Sequence, residues 1–148
     1  MDRVSRIVDV NINRLTEGLK VVEDVVRFGL ECRGLLRSVR AVRTRLGVET
    51  RTLRRIAVLS RRSETDLGRG DRFDRTKRGS LEDVLFANFK RAEEAARVLE
   101  EVLKVAAPRA SGRFKAIRFR LYDLEKQALK VSQKSDARSL KAGVAARP

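Results

Sequence analysis

The sequence predicts an all-α fold, a helical bundle built from a duplicated helical hairpin with an arginine-rich connecting segment. Three observations carry that expectation. Apolar residues recur three and four apart along most of the chain, which lays one apolar stripe on each helix. No segment alternates polar and apolar residues in the manner of a half-buried strand. The polar edge of the first helical stretch also reappears 77 positions later.

Val8, Ile12, Leu15, Leu19, Val22 and Val26 define one face of a long helix from Val4 to Leu30. A second helix is expected from about Glu31 to Leu46, on Leu35, Leu36, Val39, Val42 and Leu46, with Gly47 as its stop. Thr50 is placed to cap a short third helix through Leu53, Ile56 and Leu59. From Arg61 to Gly79 the chain holds Gly68, Gly70 and Gly79, with only Leu67 and Phe73 to anchor it, so it reads as a loop. Ser80-Leu-Glu-Asp83 has the form of a capping box and opens a helix to about Ala107. Pro108 and Gly112 are expected to separate it from a last helix, roughly Arg113 to Val131. Residues 1–131 then form a single domain, with copies at 4–46 and 80–131 and a connector at 47–79. The polar tail, 132–148, is expected to be frayed or irregular.

Composition narrows the chemistry. The 148 residues carry 35 Lys and Arg against 20 Asp and Glu, a formal charge of +15, while 42% are hydrophobic, enough for one core. With no histidine, Ser-His-Asp and Cys-His nucleophile arrangements and His-ligated zinc are excluded. The single cysteine, Cys32, forms no internal disulfide, fits a reducing compartment and reads as a small buried hydrophobe. No apolar run approaches the roughly 18 residues of a membrane span, and no signal-peptide core follows the N-terminus. A cytoplasmic protein without membrane contact is therefore expected. Fifteen basic residues but only five acids lie between Arg33 and Arg78. Such a concentration points to an anionic partner: nucleic acid, nucleotide or phosphorylated metabolite.

The repeat singles out particular polar residues. Asn11, Arg14, Glu17 and Gly18 fall on Asn88, Arg91, Glu94 and Ala95. The following helices match at an offset of 75, with Ala41 to Leu46 on Ala116 to Leu121. Small residues at Gly18 and Ala95 permit two helices to cross closely about a pseudo-twofold axis. A polar edge beside that crossing, present twice, would line a cleft with two asparagines, two arginines and two glutamates. Read without function, Arg14–Glu17 and Arg91–Glu94 are ordinary i,i+3 surface pairs, worth roughly a few tenths of a kcal/mol.

Three signatures then stand in order: Arg6-Ile-Val-Asp-Val-Asn-Ile-Asn-Arg14 with Glu17-Gly-Leu-Lys-Val-Val-Glu-Asp24; Ala87-Asn-Phe-Lys-Arg91 with Glu94, Ala95 and Arg97-Val-Leu-Glu-Glu101; and Arg118-Phe-Arg-Leu-Tyr122. Together they resemble the alternative hydroxymethylpyrimidine phosphate kinase family of thiamine biosynthesis, over about Val4 to Val131. In some members of that family the module precedes a thiamine-phosphate synthase barrel. Between the signatures Arg61, Ser63, Asp66 and Gly68 match the family pattern, while Arg62 stands where an acid is common.

The resemblance implies a kinase that passes the γ-phosphoryl of ATP to 4-amino-5-hydroxymethyl-2-methylpyrimidine phosphate, giving the diphosphate. Its nucleophile is already an anion, so no general base is needed; arginines and Mg²⁺ position and neutralise the phosphates. Carried over, it makes Arg14, Arg91, Glu17 and Glu94 catalytic. Asn11, Asn88, Arg61, Ser63, Asp66 and Gly68 become substrate-binding, Glu94 and Asp66 hold Mg²⁺, and ATP is the co-substrate. The chain has no G-x-x-x-x-G-K-S/T loop, so nucleotide phosphates fall to Arg61–Arg78 and to the helix start at Ser80. That segment is expected to be a flap that orders over phosphates, the plain alternative being a solvated connector. The expected partners are a phosphorylated small molecule and a nucleotide, with thiamine-phosphate synthase and a homodimer as further candidates. Two other readings stay open: a non-catalytic partner domain of thiamine-phosphate synthase, and a basic nucleic-acid-binding helical domain.

Overall fold

Val8, Ile12, Leu15, Leu19, Val22 and Val26 are at most 4% exposed, so the stripe read from the first helix is the centre of the core. The computed structural model describes residues 2–70 and 76–145, the side chains of residues 136 and 138–145 excepted. It has four long helices: α1 (Asp2–Phe28), α2 (Arg33–Ala57), α3 (Leu81–Ala106) and α4 (Pro108–Ala145). The described residues contain no strand. The fold is an all-α bundle of two hairpins.

The most extensive interface joins α1 to α3. Gly18 permits it: a Cβ there would lie 3.0 Å from the Asn88 carbonyl oxygen and 3.5 Å from Ala92. Gly29 lies against Leu81, so the two helices run antiparallel. The remaining contacts are α2 on α1, α4 on α3, and α2 on α4. Each hairpin is clamped by the same pair in its own copy. Glu23 accepts hydrogen bonds from Arg43 and, at 3.1 Å, from Arg40. At the matching place Glu100 accepts from Arg118 Nε at 2.9 Å. Burial alone would raise the Glu23 pKa, but the Arg43 and Arg40 hydrogen bonds outweigh it and hold that carboxyl below the ordinary range.

Four expectations are corrected. Gly47 does not stop the second helix, and there is no separate third helix, because α2 runs unbroken to Ala57. A mid-helix glycine costs only about 1 kcal/mol relative to alanine, and buried Leu46, Thr50 and Ala57 continue the stripe past it. Thr50 is not a cap: its hydroxyl donates to the Leu46 carbonyl at 2.8 Å, as a mid-helix threonine does. The last helix starts at Pro108 rather than Arg113. Proline suits the first helical position, where its missing N–H is not needed, and buried Ser111 donates to the Glu100 carbonyl at 2.8 Å to hold that first turn on α3. The same helix continues through the expected tail to Ala145. The capping box is formed as read: Ser80 Oγ accepts from the Asp83 N–H at 3.1 Å, and Asp83 Oδ2 accepts from the Ser80 N–H at 3.1 Å.

Candidate functional site

α1 is amphipathic, so the residues opposite its buried stripe, at Arg3, Arg6, Val10 and Asn13, share one outward face. After α2 the chain turns back over that face through single 3-10 turns at Val58–Ser60 and Ser63–Thr65. The result is a cleft of about 430 Å³, lined on the helix side by Arg3, Arg6, Asp9 and Asn13 and on the connector side by Arg61, Arg62, Ser63 and Asp66. Four arginines against two aspartates leave it positive.

One ion pair fixes the cleft. Arg61 donates from Nε and Nη2 to the two oxygens of Asp9, at 2.7 and 2.8 Å. This fork leaves the Nη1 donors outside the ion pair. The Asp9 hydrogen bond, reinforced by its charge and by that of Glu17, raises the Arg61 pKa above its ordinary value. Arg62 pairs with Asp2 at 3.1 Å, and Asp66 Oδ1 accepts from the Gly68 N–H at 3.0 Å, tying off the next turn.

Of the residues singled out from the sequence, Arg61, Ser63 and Asp66 line this cleft, and Glu17 lies within electrostatic reach of it. Gly68 follows in the turn that Asp66 closes. Asn11 and Asn88 occupy equivalent places, each amide donating to the carbonyl four residues back, Ile7 at 2.9 Å and Val84 at 2.8 Å. Arg14, Arg91 and Glu94 are exposed, and no ion pair joins Arg14 to Glu17 or Arg91 to Glu94 among the described residues. Asp71, Arg72, Phe73, Asp74 and Arg75 of the expected flap lie outside the described residues. Sequence reasoning passed over Arg3, Arg6, Asp9 and Asn13; for Arg3, Arg6 and Asn13 a shared place opposite the apolar stripe was the available signal.

The repeat generates a second cleft. Phe86 and Ala87, the equivalents of Asp9 and Val10, line it together with Lys77, Arg78 and Asp83. The connector therefore leaves one cleft and arrives at the other.

The donor set of the arginine cleft does not suit a resident Mg²⁺. Among the described residues no three carboxylate or cysteine side chains come together to hold a metal ion. Asp9 is occupied by Arg61 and Asp66 by its own turn, so these residues do not form a cage for a resident cation. The described helices include none long and apolar enough to cross a membrane.

Comparison with known proteins bears on the whole bundle. The model of the ThiD2 family matches residues 6–127. The chain belongs to the ThiD2 family. It is 42% identical over 124 residues to thiamine-phosphate synthase of Synechococcus sp. (strain CC9605), covering 83% of this chain and 34% of that protein. Thiamine-phosphate synthase of Thermosynechococcus vestitus is 40% identical over 128 residues, covering 86% of this chain and 35% of that protein. The enzyme of the same name from Parasynechococcus marenigrum is 39% identical over 139 residues, 93% of this chain and 39% of that one. This ThiD2 chain thus spans little more than a third of the length of these relatives. No solved structure matches it.

Proposed function

We propose that this protein is a kinase of thiamine biosynthesis that phosphorylates 4-amino-5-hydroxymethyl-2-methylpyrimidine phosphate to its diphosphate. The observation that carries this reading is the cleft of Arg3, Arg6, Arg61 and Arg62, with Arg61 held by Asp9 in a ThiD2 bundle. Membership of that family and the thiamine-phosphate synthase relatives support the pathway; the positive cleft supports phosphoryl chemistry.

Transfer between two phosphates asks the protein for alignment and charge neutralisation, with no proton to remove from the nucleophile. Arg61 suits the role because Asp9 has already fixed its plane, so little side-chain freedom is lost when Nη1 meets a phosphate oxygen. Arg3, Arg6 and Arg62 add charge, and the Ser63 hydroxyl adds a neutral donor. Mg²⁺ would arrive with the nucleotide phosphates.

The deciding experiment is incubation with Mg·ATP and the pyrimidine monophosphate, followed by phosphorus NMR. Formation of the pyrimidine diphosphate with ADP in equal amount is expected. Arg6→Ala and Arg62→Ala, both in the lining of the cleft, are expected to lower the rate far more than stability, since a positioned arginine is worth about 10³-fold on a transferring phosphoryl group. No diphosphate from folded protein would overturn the reading. Full activity in both variants would remove those two arginines from the transfer.

A further inference from the structure

The cleft between α3 and α4 contains a feature that the proposed transfer does not use. It consists of two adjoining depressions, about 590 and 400 Å³, which share Phe86 and Leu129. Lys77 and Arg78 line the first together with Glu82 and with Asp83, whose carboxylate is engaged in the capping box; Tyr122, Glu125 and Lys126 line the second. Beside Glu125 lies Glu93, 4% exposed, whose Oε1 has no hydrogen-bond donor among the described residues. Two facing carboxylates cannot donate to each other; a single proton held between them supplies the missing bond.

The bundle does not require this pair. At the equivalent positions of the first hairpin stand Thr16 and Thr50, which bond back to the Ile12 and Leu46 carbonyls at 2.8 Å and leave nothing unsatisfied. The second hairpin instead places two acids there, beside two aromatic rings. Tyr122 is fixed in turn: its oxygen accepts from Arg118 Nη1 at 3.0 Å, and Arg118 is held by buried Glu100.

The shared proton is spent between the two carboxyls, which leaves the outer oxygen of Glu125 as an acceptor in the cleft. That acceptor complements the exocyclic amino group of an aminopyrimidine or an adenine. Phe86 and Tyr122 offer faces for the ring, and Lys77 and Arg78 offer charge for a phosphate. We propose that this cleft is a second ligand site, which takes a phosphorylated amino-substituted nitrogen heterocycle, its amino edge on Glu125 backed by Glu93 and its phosphate toward Lys77 and Arg78. The site stands apart from the arginine cleft. In the antiparallel α1/α3 pair, Phe86 and Asp9 lie about 20 Å apart along the helix axis at 1.5 Å per residue. Its occupant is therefore not the acceptor of a transfer in the arginine cleft of the same chain, and the inference does not rest on the kinase reading.

Tyr122 is the only tyrosine, and there is no tryptophan, so protein fluorescence reports on this cleft alone. The full chain is titrated, without Mg·ATP, with 4-amino-5-hydroxymethyl-2-methylpyrimidine phosphate, with adenosine monophosphate and with inorganic phosphate, in parallel by calorimetry. One heterocycle is expected to saturate the Tyr122 signal, and which one does identifies the ligand. Glu125→Leu is expected to weaken that binding at least tenfold, whereas Glu125→Gln, which keeps a donor for Glu93 and an acceptor for the ligand's amino group, should stay within about threefold. Helical circular dichroism confirms that each variant folds; Glu125 is partly exposed and tolerates either change. Absence of saturable binding, an equal response to inorganic phosphate, wild-type binding in Glu125→Leu, or equal loss in Gln and Leu would each overturn the proposal. Failure to form the diphosphate, with this binding intact, would count against the kinase reading alone.

Discussion

Asp9 and Arg61, 52 positions apart, meet in a two-pronged ion pair that joins the start of the connector to the first helix. Asp9 is 4% exposed and Arg61 remains 41% exposed at its side chain, so the aspartate depends on the arginine more than the reverse. Arg61→Ala strands a buried carboxylate and is expected to cost about 1–3 kcal/mol, toward the lower end because water reaches the site. Asp9→Asn, which keeps a neutral acceptor, should cost less. Urea unfolding of both variants and of the double variant measures the coupling; a sum of single effects equal to the double would show that the pair is not coupled.

Glu93 sets a pH dependence opposite to the usual acid loss of stability. Burial, then the charge and the hydrogen bond of Glu125, raise its pKa from 4.5 to about 7, with Glu94 adding to the rise and Lys90 opposing it. The folded state then binds more protons than the unfolded one between pH 4.5 and 7. Stability from this group is full below pH 4.5 and is lost as pH rises through 7, by up to about 3 kcal/mol. Melting temperature should therefore rise between pH 8 and pH 6. Glu93→Gln should flatten that slope and stabilise the protein at pH 8.

Glu23 acts in the other direction. Its pKa is lowered by Arg43 and Arg40 against the effect of burial. Its contribution is present above the unfolded value of 4.5 and is lost as pH falls through the lower folded value. Glu23→Gln should therefore destabilise at pH 7 and lose that effect in strong acid, as read by urea midpoints at the two pH values.

Gly18 tests the crossing of α1 and α3. A methyl group there would sit 3.0 Å from the Asn88 carbonyl oxygen, tight but adjustable by a few tenths of an ångström. Gly18→Ala should shift stability by less than about 1 kcal/mol, the gain in helix propensity offsetting the crowding. Gly18→Val brings branched carbons onto backbone and should cost about 2–4 kcal/mol. Equal stability of the alanine and valine proteins would mean that the helices part there.

The connector offers trypsin exposed sites after Arg62 and Arg69. If phosphates bridge it to α1, Mg·ATP with the pyrimidine phosphate should slow cleavage at those bonds at least fivefold, and matched ionic strength should barely slow it. Mass spectrometry of the early fragments reads the result; equal rates would leave the segment a plain connector.

The parts legible in the sequence were those written in periodicity or in local backbone chemistry. Three- and four-residue spacing located all the long helices, and Ser80 with Asp83 marked the start of α3, because both signals act within one turn of chain. Helix ends at Gly47 and Arg113 were misplaced for a shared reason: a glycine's cost of about 1 kcal/mol is small beside the burial of neighbours such as Leu46, Thr50 and Phe114. Of the cleft's lining, Arg61, Ser63 and Asp66 were singled out through the resemblance to a family pattern that also includes Gly68. Asp9 was not, since its partner lies 52 positions away and nothing local distinguishes it from a surface acid. Glu93 was hidden in the same way, its meaning depending on Glu125 across the hairpin.

The equivalence of the two hairpins also says something about ancestry. A helix that packs against its own repeat about a twofold axis is a self-complementary surface, the kind that assembles identical subunits into pairs. Doubling such a gene turns a symmetric pair into one chain and releases each half from having to match the other. One half carries threonines at positions 16 and 50 while the other carries acids at 93 and 125, a difference closed to an assembly of identical subunits.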